Sequence, residues 1–186
     1  VDALFDAMSG ITTTGLSVAQ NPDDWPFAAH VFRAWLQWVG GLVMATAVLA
    51  LILPAGVATK RLGRVVIDEG DRISSTRAQA QQLLIAYLSL TVIMAGITAF
   101  VIPDWREALV LTLSGVSTGG FAPRSDSLAS YSLAGQSVVL LGCVLGAISL
   151  LTFVLLACGR LREAWLLGSA RRVGGALALA VALFVA

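Results

Sequence analysis

Charged residues and histidines are scarce in this 186-residue chain. Only 12% of its residues are Asp, Glu, Lys or Arg, whereas about a quarter are charged in an ordinary soluble domain. The single histidine and the two cysteines, Cys143 and Cys158, show no metal-ligand or disulfide spacing. These absences argue against a soluble domain and leave no residues for a triad or a metal site. We therefore expect that the chain is not an enzyme.

Long uncharged runs take up much of the sequence, whose mean hydropathy is +0.86. The intervals 34–59, 78–103 and 127–159 contain no charged residue. Each is long enough for a helix of about 20 apolar residues, which is what crossing a bilayer requires. A further apolar run begins after Arg172. The sequence therefore predicts an all-α membrane protein that crosses the lipid bilayer several times.

The basic residues indicate the orientation of these spans. Nine of the twelve Lys and Arg residues lie in two short segments, 60–77 and 160–172. By the positive-inside rule both segments face the cytoplasm of a cell (inner) membrane, and Trp25 and Trp105 lie on the outer side, where an aromatic belt is expected. Because the basic residues belong to this topology signal, we expect no nucleic-acid partner.

An internal repeat becomes visible when Asp2 to Ser17 is placed over Glu107 to Ala122, a shift of 105 residues without a gap. Each copy combines a short helical pattern with a polar, glycine-containing turn. Such helices, about half a bilayer long, are typical of re-entrant pore helices, since irregular backbone at that depth needs protein or a water-filled cavity around it. The identical pairs include Ser9 and Ser114, Gly10 and Gly115, Thr13 and Thr118, and Gly15 and Gly120.

The repeat predicts an architecture of span, pore helix, filter loop and span, arranged around a central ion pathway. We assign a pore helix, filter loop and second span to residues 1–59, a cytoplasmic connector to 60–81, a complete repeat to 82–159, a cytoplasmic loop to 160–172 and the start of another first span to 173–186. Because the chain opens without Met and holds only two filter loops, we expect it to be part of a longer subunit.

The polar turns suit a weakly bound, dehydrated cation. Rings of backbone carbonyls can replace its lost water, and glycine permits the positive φ that such a turn needs, which explains Gly15 and Gly120. The pore helices would add the partial negative charge of their C-terminal ends. The simpler alternative is that each turn is a connecting loop, but two copies in register favour a filter.

At these residues the sequence resembles the Trk/Ktr/HKT superfamily of potassium transporters, whose chains carry four such repeats. "SGITTTGLS" resembles the second filter loop of a Trk-type subunit, "FRAWLQWVGGL" (32–42) the start of the following span, and "LSGVSTGGFAPRSDS" (113–127) the third filter loop. The resemblance implies potassium transport, with K⁺ as the transported ion and no organic cofactor. It also implies a homodimer and a cytosolic nucleotide-binding regulatory subunit, which the segment 59–79 could dock, although a solvated connector is the simpler interpretation.

The same resemblance assigns the site residues. It places Gly15 and Gly120 in the selectivity filter, and a glycine there goes with a preference for potassium. The filter set is Thr13, Thr14, Gly15 and Leu16 with Thr118, Gly119, Gly120 and Phe121. The family interrupts the following span with a flexible gate, for which the candidates are Gly142, Gly146 and Ser149, although small residues also let helices pack closely.

A different class of function is a secondary carrier that uses discontinuous helices to bind a small substrate or another monovalent cation such as sodium. Parallel entry of both loops from the outer side argues against the inverted repeats of such carriers.

Arg33 lies at the outer end of a span. We expect it to anchor at lipid headgroups, with capping of the pore-helix region as the alternative.

Overall fold

The computed structural model of the chain describes residues 2–18, 21–52, 72–148, 150–157 and 174–175. Over these ranges the regular structure is entirely helical, so the expected all-α class is confirmed. Several predicted segments lie outside the described residues: 53–59 of the first unit, 60–71 of the connector, the cytoplasmic loop 160–172, and all but 174–175 of the next span 173–186. The helices are α1 (Asp2–Ile11), α2 (Phe27–Ile52), α3 (Arg72–Val101), α4 (Trp105–Val116), α5 (Leu133–Ala147) and α6 (Leu150–Ala157), with a short 3₁₀ helix at Pro22–Asp24.

Two helices, α1 and α4, are the half-length helices expected from the repeat, although α6 with 8 residues is shorter still. With 10 and 12 residues, α1 and α4 are about 15–18 Å long, or half the hydrocarbon thickness of a bilayer. Within the described part of the chain, the segment Ala80–Val101 of α3 is long and apolar enough to cross a membrane. The second span of the predicted repeat 82–159 contains α5 and α6, with a break after Ala147.

Local sequence sets the start of α4 and the end of the helix before it. Pro103 lacks a backbone N–H and disfavours helical backbone in the residue before it, and α3 ends at Val101. Asp104 is the N-cap of α4, and its Oδ1 accepts the backbone N–H of Arg106 at 2.9 Å. Glu107 in the first turn complements the positive end of the helix dipole.

The chain divides into two compact units. The first comprises Val1–Met44 and Leu88–Ala147, and it contains α1 and α4. Its core includes a cluster formed by Ile102, Ala108, Leu111 and Val139, where α4 packs against α5. The second comprises Ala45–Tyr87 and Ile148–Ala186, and Leu83 and Leu150 are among its buried residues.

In the two copies of the sequence repeat, α1 corresponds to α4 and α2 corresponds to α5. The short helices end at Ile11 and Val116, an offset of 105, and the following helices begin at Phe27 and Leu133, an offset of 106. The extra residue therefore lies in the loop between them in the second copy. From α2 onwards, positions of the first copy correspond to positions 106 residues later.

Candidate functional site

The two polar turns, residues 12–16 (the first turn) and 117–121 (the second turn), have the same backbone conformation. Thr13 N–H donates to Gly10 O at 2.9 Å, and Thr14 N–H donates to Ser9 O at 3.0 Å. In the second turn Thr118 N–H donates to Gly115 O and Gly119 N–H to Ser114 O, both at 2.9 Å. These bonds form a Schellman motif, which ends each helix at the same place in the repeat.

A threonine in each turn occupies the left-handed region of the backbone. Thr13 has φ = 54° and Thr118 has φ = 57°. The Schellman motif normally places glycine at this position, and a β-branched residue there is strained by about 1–3 kcal/mol. Strain of this kind clusters at functional sites, and here it occurs at matching positions of both copies. Sequence reasoning missed it, because Thr gives no signal for positive φ.

Two residues further along, each turn has a glycine that the backbone requires. Gly15 has φ = 78° and Gly120 has φ = 82°, as expected from the sequence. The space around them differs. A Cβ on Gly120 would meet nothing within 4 Å, whereas a Cβ on Gly15 would overlap the carbonyl oxygen of Gly119. The structure therefore brings the two turns into direct contact through Gly15 and Gly119.

The remaining predicted filter residues differ in exposure. Thr13 and Gly15 are half-buried, and Gly119 and Phe121 are buried. The exposed residues are Thr14, Leu16, Thr118 and Gly120. Neither turn contains a charged side chain. The arrangement presents main chain, hydroxyl and apolar groups, and it has no carboxylate that would hold a cation tightly.

The predicted gate residues that the structure describes lie inside α5. Gly142 is buried, with the Cε of Met94 3.3 Å from the place of a Cβ. A Cβ on Gly146 would overlap the carbonyl oxygen of Val116 at the end of α4. Ser149 lies outside the described residues, between the end of α5 and the start of α6.

A buried ion pair lies behind the first turn. The Nη2 of Arg33 on α2 is 3.2 Å from Oδ2 of Asp6 on α1, and it donates to Oγ of Ser17 at 2.8 Å. Ser17 Oγ and Val18 N–H both donate to the Asp6 carboxylate, at 3.0–3.2 Å. Arg33 is only 8% exposed, so the expectation of a headgroup anchor is wrong. The carboxylate of Asp6 draws the guanidinium inward, and an Asp in the middle of an otherwise apolar helix was the available signal.

Helix α2 also contacts the second turn through Phe121. The Arg33 guanidinium carbon lies 4.1 Å from the centroid of the Phe121 ring, in cation–π geometry. One helical turn later, Gln37 Oε1 accepts the backbone N–H of Phe121 at 3.3 Å. Sequence reasoning missed Gln37, since this contact joins residues 84 positions apart.

Polar contacts hold the two outer loops, which are the loop between α1 and α2 and the loop between α4 and α5. Arg124 donates to both carboxylate oxygens of Glu107, at 3.0 and 3.1 Å, which raises the pKa of the guanidinium. The Asp23 carboxylate accepts Ser125 N–H at 3.3 Å, and the hydrogen bonds from Ser125 lower the pKa of Asp23. Across the described ranges, no group of three or more His, Cys, Asp or Glu side chains could hold a metal ion.

Comparison with known families gives this geometry a context. The family model TrkH, described as a cation transport protein, matches residues 1–158. The chain belongs to the TrkH family. The resemblance to potassium transporters of the Trk type is thereby confirmed, and TrkH proteins are membrane transporters rather than enzymes.

Individual TrkH relatives are similar over most of this chain. The Trk system potassium uptake protein TrkH of Halomonas elongata is 31% identical over 145 residues, which cover 74% of this chain and 30% of that protein. The protein of the same name from Escherichia coli K12 is 28% identical over 134 residues, covering 70% and 28%. An uncharacterized cation transporter of Methanocaldococcus jannaschii is 25% identical over 132 residues, covering 71% and 27%. The chain thus spans less than a third of the length of these relatives.

Proposed function

We propose that the chain forms part of a potassium transport pathway, in which the first and second turns line a selectivity filter. The observation that carries the proposal is the contact between Gly15 and Gly119, which places two turns of the same conformation side by side. Each follows a helix of half-bilayer length. The filter residues are the eight predicted from the sequence: Thr13, Thr14, Gly15, Leu16, Thr118, Gly119, Gly120 and Phe121.

Electrostatics support a monovalent cation as the cargo. The C-terminal ends of α1 and α4, with their partial negative charge, adjoin the two turns. The absence of a carboxylate in the turns allows release, because a conducting site must bind its ion weakly. The relatives of known function are named as potassium uptake proteins, which favours K⁺ and requires no organic cofactor.

The surrounding architecture belongs to the same proposal. A repeat of span, pore helix, filter loop and span surrounds the pathway in an inner membrane, with segments 60–77 and 160–172 on the cytoplasmic side. A second copy of the protein and a cytosolic nucleotide-binding subunit are its proposed partners. The proposed gate comprises Gly142, Gly146 and Ser149, and the interruption of the helical run after Ala147 supports it.

Growth of cells that lack their own potassium uptake tests the function. The full-length protein containing this sequence is compared with its Gly15→Ser and Gly120→Ser variants on limiting potassium. A matched control is Gly96→Ser, because Gly96 is exposed on α3 and a Cβ there would meet nothing within 4 Å.

We expect rescue by the wild type and by Gly96→Ser, and weakened or sodium-tolerant transport in the two turn variants. Immunoblots of membranes confirm that all variants are present in equal amounts. Full rescue by both turn variants would show that the turns are packing loops and would sink the proposal.

A further inference from the structure

Gln37 is a polar side chain that α2 buries completely. Its residue exposure is 0%, and its Oε1 accepts the backbone N–H of Phe121. Among the described residues, its Nε2 has no hydrogen-bond partner. Burial of an amide with half of its hydrogen-bonding capacity unused is unfavourable. An apolar side chain would fill this space without leaving an amide nitrogen unpaired. We therefore look for the role of Gln37 in its contact with the second turn.

Gly119 lies directly against this amide. A Cβ on Gly119 would overlap the Gln37 Cδ and would lie 2.6 Å from both Oε1 and Nε2. Gly119 is not among the residues with positive φ, so backbone conformation does not require glycine there. The second turn therefore needs glycine at 119 for space, and it needs glycine at 120 for conformation.

The first turn has a different residue at the place of Gly119. Thr14 occupies the position that corresponds to Gly119, and it is exposed, with its Oγ1 2.9 Å from Thr12 Oγ1. In the second copy, the position that corresponds to Gln37 holds Cys143. Neither Gln37 nor Gly119 is therefore repeated at the corresponding position of the other copy.

The second turn is thus held on two sides. Gln37 lies against one side of Gly119, and the main chain of Gly15 lies against its carbonyl. Arg33, one helical turn before Gln37, fixes the Phe121 ring. A carbonyl cage distinguishes ions by its size and by the field of its oxygens, so a small displacement of this backbone changes the preference between K⁺ and Na⁺.

We propose that Gln37 is a positioning residue for ion selectivity, which holds the backbone of Gly119 and Phe121 in place from the preceding repeat. This inference rests on the proposed function, in which the second turn lines the pathway. It assigns the selectivity of one filter loop to a side chain outside both turns.

The test is a double-mutant cycle in the full-length protein, reconstituted into liposomes for measurement of the K⁺/Na⁺ permeability ratio. The variants are Gln37→Ala, Gly119→Ala and the double variant, with Gln37→Met as a space-filling side chain that lacks a strong acceptor. Gly120→Ala, alone and with Gln37→Ala, is the matched control, because Gly120 has open space around it and a positive φ. Melting temperatures in detergent identify any variant that fails to fold.

We expect Gln37→Ala and Gln37→Met to keep transport but lower the permeability ratio by about tenfold, in the range of coupled neighbours. Gly119→Ala should lower it further, and the double variant should recover part of that loss, because the smaller side chain makes room for the new methyl group. Gln37→Ala should not rescue Gly120→Ala.

Two results would overturn the inference: an unchanged ratio in both Gln37 variants, or a double variant no better than Gly119→Ala. Failure of the proposed function has a different signature. In that case well-folded Gly119→Ala and Gly120→Ala proteins would transport K⁺ and Na⁺ like the wild type, irrespective of the residue at 37.

Discussion

Gly15 of the first turn lies against the main chain of Gly119 in the second, so closely that a Cβ on Gly15 would overlap the Gly119 carbonyl oxygen. The contact joins two turns that share one conformation but not one sequence, since Thr14 and Gly119 correspond. Position 15 requires glycine for two reasons, its positive φ and the lack of space for a Cβ. Position 120 requires glycine only for its positive φ.

Alanine substitutions separate these two causes. Gly120→Ala should reduce the free energy of unfolding by about 1–2 kcal/mol, the usual penalty for an L-residue in the left-handed region. Gly15→Ala should reduce it by more, because the Gly119 backbone must also move. Thermal unfolding of the detergent-solubilised protein measures both. Equal losses in the two variants would contradict the close contact between the turns.

The buried ion pair of Asp6 and Arg33 provides a second prediction. In the second copy Leu111 and Val139 take the corresponding positions, so the repeat itself suggests the substitutions Asp6→Leu and Arg33→Val. Each single variant leaves one buried charge unpaired and should destabilise the protein by about 3–5 kcal/mol.

The double variant Asp6→Leu/Arg33→Val should be much less destabilised than the sum of the two single variants, since it leaves no isolated charge. Chemical unfolding of all four proteins gives the coupling energy. A strictly additive result would mean that the two side chains do not interact in the folded protein.

Much of the site could be predicted from sequence because it depends on local patterns. The repeated spacing predicts the half-length helices, and glycine at 15 and 120 predicts positive φ, which the structure has. The Schellman hydrogen bonds then end these helices at Ile11 and Val116, at matching places of the repeat.

The contacts between the two copies could not be predicted in this way. In the sequence, Arg33 and Gln37 are simply polar residues near the outer end of a span. Their roles come from contacts with other segments, Arg33 with Asp6 and Gln37 with Phe121. Nothing in a single sequence states which polar residue of a span meets a loop 84 residues away. The left-handed threonines were missed because propensity argues against them.

Close helix packing accounts for two further glycines. A Cβ on Gly40 would overlap the carbonyl oxygen of Ile11, and one on Gly146 would overlap that of Val116, which are the last residues of α1 and α4. Gly40→Ala and Gly146→Ala should each destabilise the protein by about 1–3 kcal/mol, the usual effect of overpacking.

Gly96→Ala is the control for this pair, because its position on α3 is open. It should increase stability by up to about 1 kcal/mol through helix propensity. Melting temperatures compare the three variants. If Gly146→Ala raised the melting temperature as Gly96→Ala does, the packing role of Gly146 would be contradicted. Only its proposed role in the gate would then remain.

The contact of Asp23 with Ser125 predicts how the outer loops respond to pH. Hydrogen bonds from Ser125 lower the pKa of Asp23 below its usual 3.8. A carboxyl group whose pKa is lower in the folded protein stabilises it above its unfolded pKa, and this contribution is lost as the pH falls through the folded pKa. The link between the loops should therefore be insensitive to pH from about 8 to about 5, where an ordinary aspartate is ionised.

A spin label on Ala129→Cys, an exposed position in the loop between α4 and α5, reports this link when Cys143 and Cys158 are replaced by alanine. We expect its mobility to stay constant down to about pH 5 and to rise only below about pH 4. In Asp23→Ala the mobility should already be raised at neutral pH and should lose this acid transition. A rise between neutral pH and about pH 5 in the protein that retains Asp23 would show that another titrating group, with a higher pKa, holds the loop.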